Sequence, residues 1–186
     1  MTTTKKICAI TMARNDAFFL EHWIAYYGAI LGKENLYIYL DGTDQPIPPT
    51  AGEATVVHCE RIPGQVVAAE RRRLTHLSNM ASELLKKYDL VIGTDADEFL
   101  VLDPNVDESL VSYLSKIDIN PSVSGLGVDV GQHLNEEQTI DGSKSFLSQR
   151  SYGQVSSRYT KPVVHRRRHP SPVFHKWRCH RAAGAA

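Results

Sequence analysis

No run of the chain reaches the eighteen or so uninterrupted apolar residues that a membrane-spanning helix needs, which excludes a transmembrane segment. An excess of one charge is missing too. Twenty-one basic residues stand against twenty-one acidic ones, so net charge supplies no attraction to nucleic acid or another polyanion, and no nucleic-acid partner is expected. Cysteine is scarce: Cys8, Cys59 and Cys179 are odd in number and far apart, which excludes a disulfide scaffold and fits a reducing compartment. Cys8 and Cys59 lie in or beside apolar runs and read as packing residues rather than nucleophiles. The first residues, Met1 to Lys6, are polar and lack an apolar leader, so a cytoplasmic protein is the expectation. Glycine is absent between Ile10 and Asp16, which argues against a glycine-rich triphosphate loop after the first strand.

What is present is an alternation of strand and helix patterns. Lys6 to Met12 reads as a short apolar strand, after which Phe18, Leu20, Trp23, Ile24, Tyr27 and Leu31 recur at helical spacing, with Asn15 or Asp16 as the cap. Asn35 to Leu40 and Ala54 to Cys59 read as strands, separated by Asp41-Gly42-Thr43-Asp44 and a proline-rich loop. Gln65 to Tyr88 is helix-compatible, Leu90 to Thr94 a strand, Asp107 to Ile117 a helix and Val123 to Val130 a strand. With 186 residues, 42% of them hydrophobic, the chain can bury one sizeable core, and one domain over residues 1–164 is expected. The alternation predicts an α/β fold with a mostly parallel sheet flanked by helices on both faces. Ligands of such sheets bind beyond the carboxyl ends of the strands. Arg14-Asn15-Asp16, Asp41-Gly42-Thr43-Asp44 and Asp95-Ala96-Asp97 are therefore expected around one cleft.

From Asp89 through Glu108 there are seven carboxylates and no Lys or Arg, so an external cation is the natural relief for their repulsion. Asp95 and Asp97 follow an apolar strand and are one residue apart, a spacing that aims two extended-chain side chains the same way. Hard carboxylate oxygens suit Mg²⁺ or Mn²⁺, which completes its shell with water and phosphate oxygens. An isolated Asp-x-Asp is commonly a solvated acidic turn. Here apolar runs on both sides, Leu-Val-Ile-Gly-Thr and Phe-Leu-Val-Leu, make idle charge costly. The rhythm and central glycine of an EF-hand are absent.

The stretch Asp89-Leu-Val-Ile-Gly-Thr-Asp95-Ala-Asp97-Glu98-Phe99 resembles the Asp-x-Asp-Glu-Phe signature of glycosyltransferase family 2-like proteins. Ala13-Arg14-Asn15-Asp16 followed by Leu20-Glu21-His22-Trp23-Ile24-Ala25-Tyr26-Tyr27 is similar to the opening of that family, and Tyr37 to Asp44 resembles its second strand and acidic turn. The resemblance covers residues 6–103, with a fainter match at Thr160 to Val164. It implies a GT-A (Rossmann-like) fold and transfer of a sugar from a nucleoside-diphosphate sugar donor to a glycan or other hydroxyl acceptor. Asp97 would be the main metal ligand, while Asp95 would hold the ribose or take part in the metal shell. Arg14, Asn15 and Asp41 would line the nucleotide pocket, and Glu98 would support the site from behind. Bound metal would stabilise the leaving diphosphate.

An inverting transferase needs a general base, and Asp129, Glu136, Glu137 and Asp141 lie in the region where one is expected; each also fits a surface carboxylate. Arg71-Arg72-Arg73 offers guanidinium forks for phosphate oxygens, with Arg72 taken for the nucleotide, against the plainer reading of a solvated helix face. Trp23, Tyr26 and Tyr27 fit core packing better than a stacking platform. Residues 165–186 hold five Arg, four His and one Lys with no acidic residue, and read as a basic tail, truncated or non-native. Its Phe174-His175 is the nearest equivalent of the family's glycine-phenylalanine-histidine element, so the resemblance makes His175 a third metal ligand. The rivals are a catalytically impaired nucleotide-sugar-binding domain and a metal-dependent nucleotidyltransferase or phosphatase. A phosphatase of the Asp-x-Asp kind carries that motif after its first strand, whereas here it follows the fourth.

Overall fold

Seven residues of alternating burial partners begin the structure: β1 (Ile7–Ala13) sends Ile7, Ala9 and Ala13 into one buried cluster, and Cys8 and Ile10 into another. That division is the period of two of an extended chain buried on both sides. The computed structural model describes residues 4–166. Its elements continue with α1 (Ala17–Leu31), β2 (Leu36–Asp41), β3 (Thr55–Cys59), α2 (Val66–Leu84), β4 (Leu90–Gly93), α3 (Leu110–Lys116), β5 (Ser122–Ser124), β6 (Val128–Val130), β7 (Gly153–Val155) and β8 (Pro162–Arg166).

The fold is mixed α/β, with three helices and a six-stranded sheet in the order β3-β2-β1-β4-β8-β5 among the described residues. β1 pairs in parallel with β2 (Ala9 opposite Leu36) and with β4 (Ile7 opposite Leu90), and β2 pairs in parallel with β3. β8 runs antiparallel to β4, with Val91 opposite His165. The chain thus leaves β1 in one direction through β2 and β3, then returns to place β4 on the other side of β1.

The first cluster joins Leu20, Trp23, Ile24 and Tyr27 of α1 with Leu110 and Leu114 of α3; the second joins Leu77, Ala81 and Leu84 of α2 with Cys8 and Ile10. Each fully buried Leu or Ile contributes roughly 1.5–3 kcal/mol relative to an exposed one. Burial pushes the Cys8 thiol up to about 12, the state of an inert packing residue. Ser109 caps α3, its hydroxyl accepting from the Ser112 N–H at 3.2 Å.

The described chain divides into two compact units, residues 4–123 with 163–166, and residues 124–162. In the second, β6 and β7 form a two-stranded antiparallel sheet pairing Val128 with Val155. The single strand expected over Val123 to Val130 is interrupted between Ser124 and Val128. Gly125-Leu126-Gly127 explains the break. A side chain at Gly127 would meet the backbone of Tyr159 and Thr160 at 2.3 and 2.5 Å, so the two segments approach more closely than a residue with a Cβ permits. β8 crosses the boundary expected at residue 164 by two residues. No helix of the described residues is long and apolar enough to cross a membrane.

Candidate functional site

Because β1, β2 and β4 are parallel neighbours, the turns that follow them lie at one edge of the sheet. β1 and β4 are also where the strand order reverses, the position at which open α/β sheets leave a crevice beyond their carboxyl ends. The turn after β1 is Arg14 to Asp16, that after β2 runs from Gly42 to Gln45, and that after β4 from Thr94 to Glu98.

Arg14 joins the first two turns. Its guanidinium donates to the Asp41 carbonyl and grips both carboxylate oxygens of Asp44, at 3.0 and 2.9 Å. That fork holds the Asp44 carboxyl down at about 2. Asn15 takes a positive φ of 51°, tolerable for an asparagine, and its N–H and side-chain carbonyl are both met by the Gln45 amide, at 2.7 and 3.0 Å. Gly42, at φ 118°, is required here. A Cβ on it would lie 2.2 Å from an Asp44 oxygen and 2.3 Å from an Arg14 nitrogen. Asp41 ends β2, and the Arg14 contact uses its carbonyl.

The acidic turn after β4 is held at both ends by α1. Trp23 Nε1 donates to the buried Thr94 hydroxyl at 2.9 Å, and Thr94 is hydrogen-bonded to the Tyr27 phenol. Past the turn, the Leu100 N–H donates to the Tyr27 oxygen at 2.9 Å, and the Tyr26 hydroxyl donates to the Leu100 carbonyl at 2.8 Å. Phe99 packs edge-on against Tyr26, centroids 5.4 Å apart. The three aromatics are thus core residues whose polar atoms locate the Asp95–Phe99 segment.

Within that segment the chain is not extended. β4 ends at Gly93, and Asp95 to Glu98 forms a reverse turn closed by the Glu98 N–H on the Asp95 carbonyl at 3.0 Å, with a Glu98 carboxylate oxygen 3.2 Å from the Asp95 N–H. The strand alternation expected to aim Asp95 and Asp97 alike therefore does not operate, and the two side chains have different surroundings. Asp95 is half-buried and ion-paired, Oδ1 lying 2.7 Å from a terminal nitrogen of Arg73. Asp97 is exposed. Its charge acts on Asp16, whose carboxyl is raised first by burial and then by Asp97.

Arg72, the arginine expected at the nucleotide, donates instead to the Ile62 carbonyl at 2.9 Å, and its neighbour Arg73 makes the Asp95 contact. One residue rotates a helical side chain by about 100°, which separates the two directions. Arg73 is also gripped by Glu70, through Nε at 3.0 Å and a terminal nitrogen at 2.7 Å. Burial works against its charge, but the two carboxylates prevail and raise its pKa.

The sequence placed Asp16 at the expected cleft and Arg73 in the arginine run, but gave neither a role of its own. A signal existed for each: Asp16 follows Arg14-Asn15 in the same turn, and Glu70 with Arg73 has the i, i+3 spacing of a helical ion pair.

The base candidates lie in the second unit. Asp129 is exposed on β6 opposite Gln154. Glu136 accepts the Tyr152 hydroxyl, and that hydrogen bond raises the phenol. Both Glu137 oxygens are taken by backbone N–H groups, of His133 at 2.8 Å and Ser151 at 2.6 Å, which lowers its carboxyl. Asp141 binds the Ser143 hydroxyl and N–H at 2.7 and 3.0 Å and is lowered as well. Those two carboxylates close turns. His175 lies outside the described residues.

Among the described residues, no three His, Cys, Asp or Glu side chains group to hold a metal by themselves. Hard carboxylates at Asp95 and Asp97 nonetheless match Mg²⁺ or Mn²⁺, which is commonly held by one or two carboxylates together with substrate phosphates. No protein-family model matches the chain, and no curated protein matches it.

Proposed function

We propose that the protein is a metal-dependent glycosyltransferase of the GT-A type, moving a sugar from a nucleoside-diphosphate donor to an acceptor hydroxyl. The observation that carries this reading is the placing of the turns after β1, β2 and β4, with Arg14, Asp44, Asp95 and Asp97 on them, at the one edge where strand order reverses between β1 and β4. Two buried clusters, one containing α1 and α3 and the other α2, favour the covered sheet such a fold requires.

In this reading Asp97, with Asp95, holds Mg²⁺ or Mn²⁺, and the ion supplies charge stabilisation to the departing diphosphate. Arg14 shapes the nucleotide side by fixing Asp41 and Asp44, while Asn15 and Gln45 lock the neighbouring turn. The α1 aromatics keep the acidic turn in place before substrate arrives, so its ordering need not be supplied by binding. Glu137 and Asp141 are engaged in turns, and their lowered carboxyls are poor proton acceptors.

A donor-binding domain without turnover is the second reading, favoured by the engagement of those two carboxylates. Calorimetry with a panel of nucleotide sugars plus Mn²⁺, followed by a donor-hydrolysis and transfer assay, separates the two. Tight donor binding with no turnover of any donor would leave only the binding domain; no binding of any nucleotide sugar would end both readings.

A further inference from the structure

The acidic turn already contains a cation supplied by the protein. Arg73 reaches from α2 to Asp95, its terminal nitrogen 2.7 Å from Oδ1, while Glu70 holds Nε and the other terminal nitrogen at 3.0 and 2.7 Å. One guanidinium thus uses three of its nitrogens on two carboxylates. Arg73 and Asp95 side chains are 25% and 30% exposed, so the pair is partly sheltered from water.

A divalent ion and a guanidinium compete for carboxylate oxygen through the same charge. We propose that Arg73 is a built-in competitor for the metal at Asp95: it neutralises this carboxylate while no donor is bound, and withdraws onto Glu70 when metal and diphosphate enter. The inference rests on the metal reading of the turn and adds to it a residue and an order of events. Glu70 makes the withdrawal feasible, because its two hydrogen bonds keep the arginine beside the turn after Asp95 lets go. The nitrogen released from Asp95 then has N–H groups available for an anionic oxygen, and the arriving diphosphate provides such oxygens. Metal alone therefore binds weakly, since it must displace Arg73 without that compensation.

The test titrates Mn²⁺ alone, followed by water-proton relaxation, into the parent, Arg73→Gln, Arg73→Lys and Asp97→Ala proteins. Removing a partly exposed competing charge is expected to tighten Mn²⁺ binding about five-fold in Arg73→Gln, with Arg73→Lys within about two-fold of the parent. A merely structural arginine would lower thermal stability in both variants and leave Mn²⁺ affinity equal. Gln no tighter than Lys, with Asp97→Ala still abolishing binding, overturns the competitor role and spares the metal reading. Absence of Mn²⁺ binding in all four overturns both. Should Arg73→Gln fail to fold, the side-chain nitrogen resonances of Arg73 in the unaltered protein decide the matter: a shift on Mg²⁺ addition supports the exchange, and unchanged signals at saturating Mg²⁺ refute it.

Discussion

Replacing Tyr27 with Phe removes one oxygen atom from the junction that holds the acidic turn. The ring is fully buried and Phe fills the same space, so little cavity is created. Two interactions go: the Leu100 N–H loses its acceptor at 2.9 Å, and Thr94 loses one of its two aromatic partners. A net bond is worth about 1 kcal/mol, and a sheltered N–H left without an acceptor costs about 1–3 kcal/mol, so a loss of roughly 2–4 kcal/mol is expected. With a urea dependence of about 2 kcal/mol per molar, the unfolding midpoint falls by about 1–2 M. Tyr26→Phe, which removes a single bond to the Leu100 carbonyl from a half-buried ring, should cost about 1 kcal/mol. Urea unfolding followed by tryptophan fluorescence reads both. A Tyr27→Phe midpoint within about 0.2 M of the parent would refute the claim that this phenol holds the turn.

Alkaline pH should weaken the fold. Burial raises Tyr27 and Tyr39 from 10.0 to about 12, and Cys8 from 9.0 to about 12. The folded state therefore keeps protons that the unfolded state has lost, so this stability is complete below pH 9 and disappears as pH rises towards 12. Urea midpoints at pH 8 and pH 10.5 test it, and an unchanged midpoint contradicts the assignment. At the acid end Asp44 is held at about 2 by Arg14, so the stabilisation it gives is present above 3.8 and lost as pH falls through about 2. Arg14→Gln should return the Asp44 midpoint, read by carboxyl NMR, towards 3.8. A midpoint still near 2 would mean that another group holds this carboxylate.

Elements with strong periodicity were legible from sequence because their apolar residues also face the core. β1, α1, β2 and β4 are read correctly to within a residue or so, since Leu20, Trp23, Ile24 and Tyr27 bury one helical face and the strands bury both of theirs. The region after Ser124 was not legible in the same way. Its strands are three residues long and largely exposed, and they follow Gly127, which answers to a close backbone approach rather than to local pattern. Residue types at the edge turns could be read, but their partners could not. Which of three adjacent arginines meets Asp95 depends on helix rotation, and the turn at Asp95 depends on the Glu98 contact and on aromatics more than seventy residues earlier in the chain.

The measurement closest to the central claim is calorimetry of a nucleoside diphosphate with the parent and Asp97→Ala proteins, each with Mn²⁺ and with excess chelator. Binding is expected in the parent only when Mn²⁺ is present, and is expected to vanish in Asp97→Ala while its urea midpoint stays within about 0.3 M of the parent. Equal affinity in the two proteins, or affinity in the parent that is indifferent to the chelator, would contradict a metal-diphosphate site on this turn.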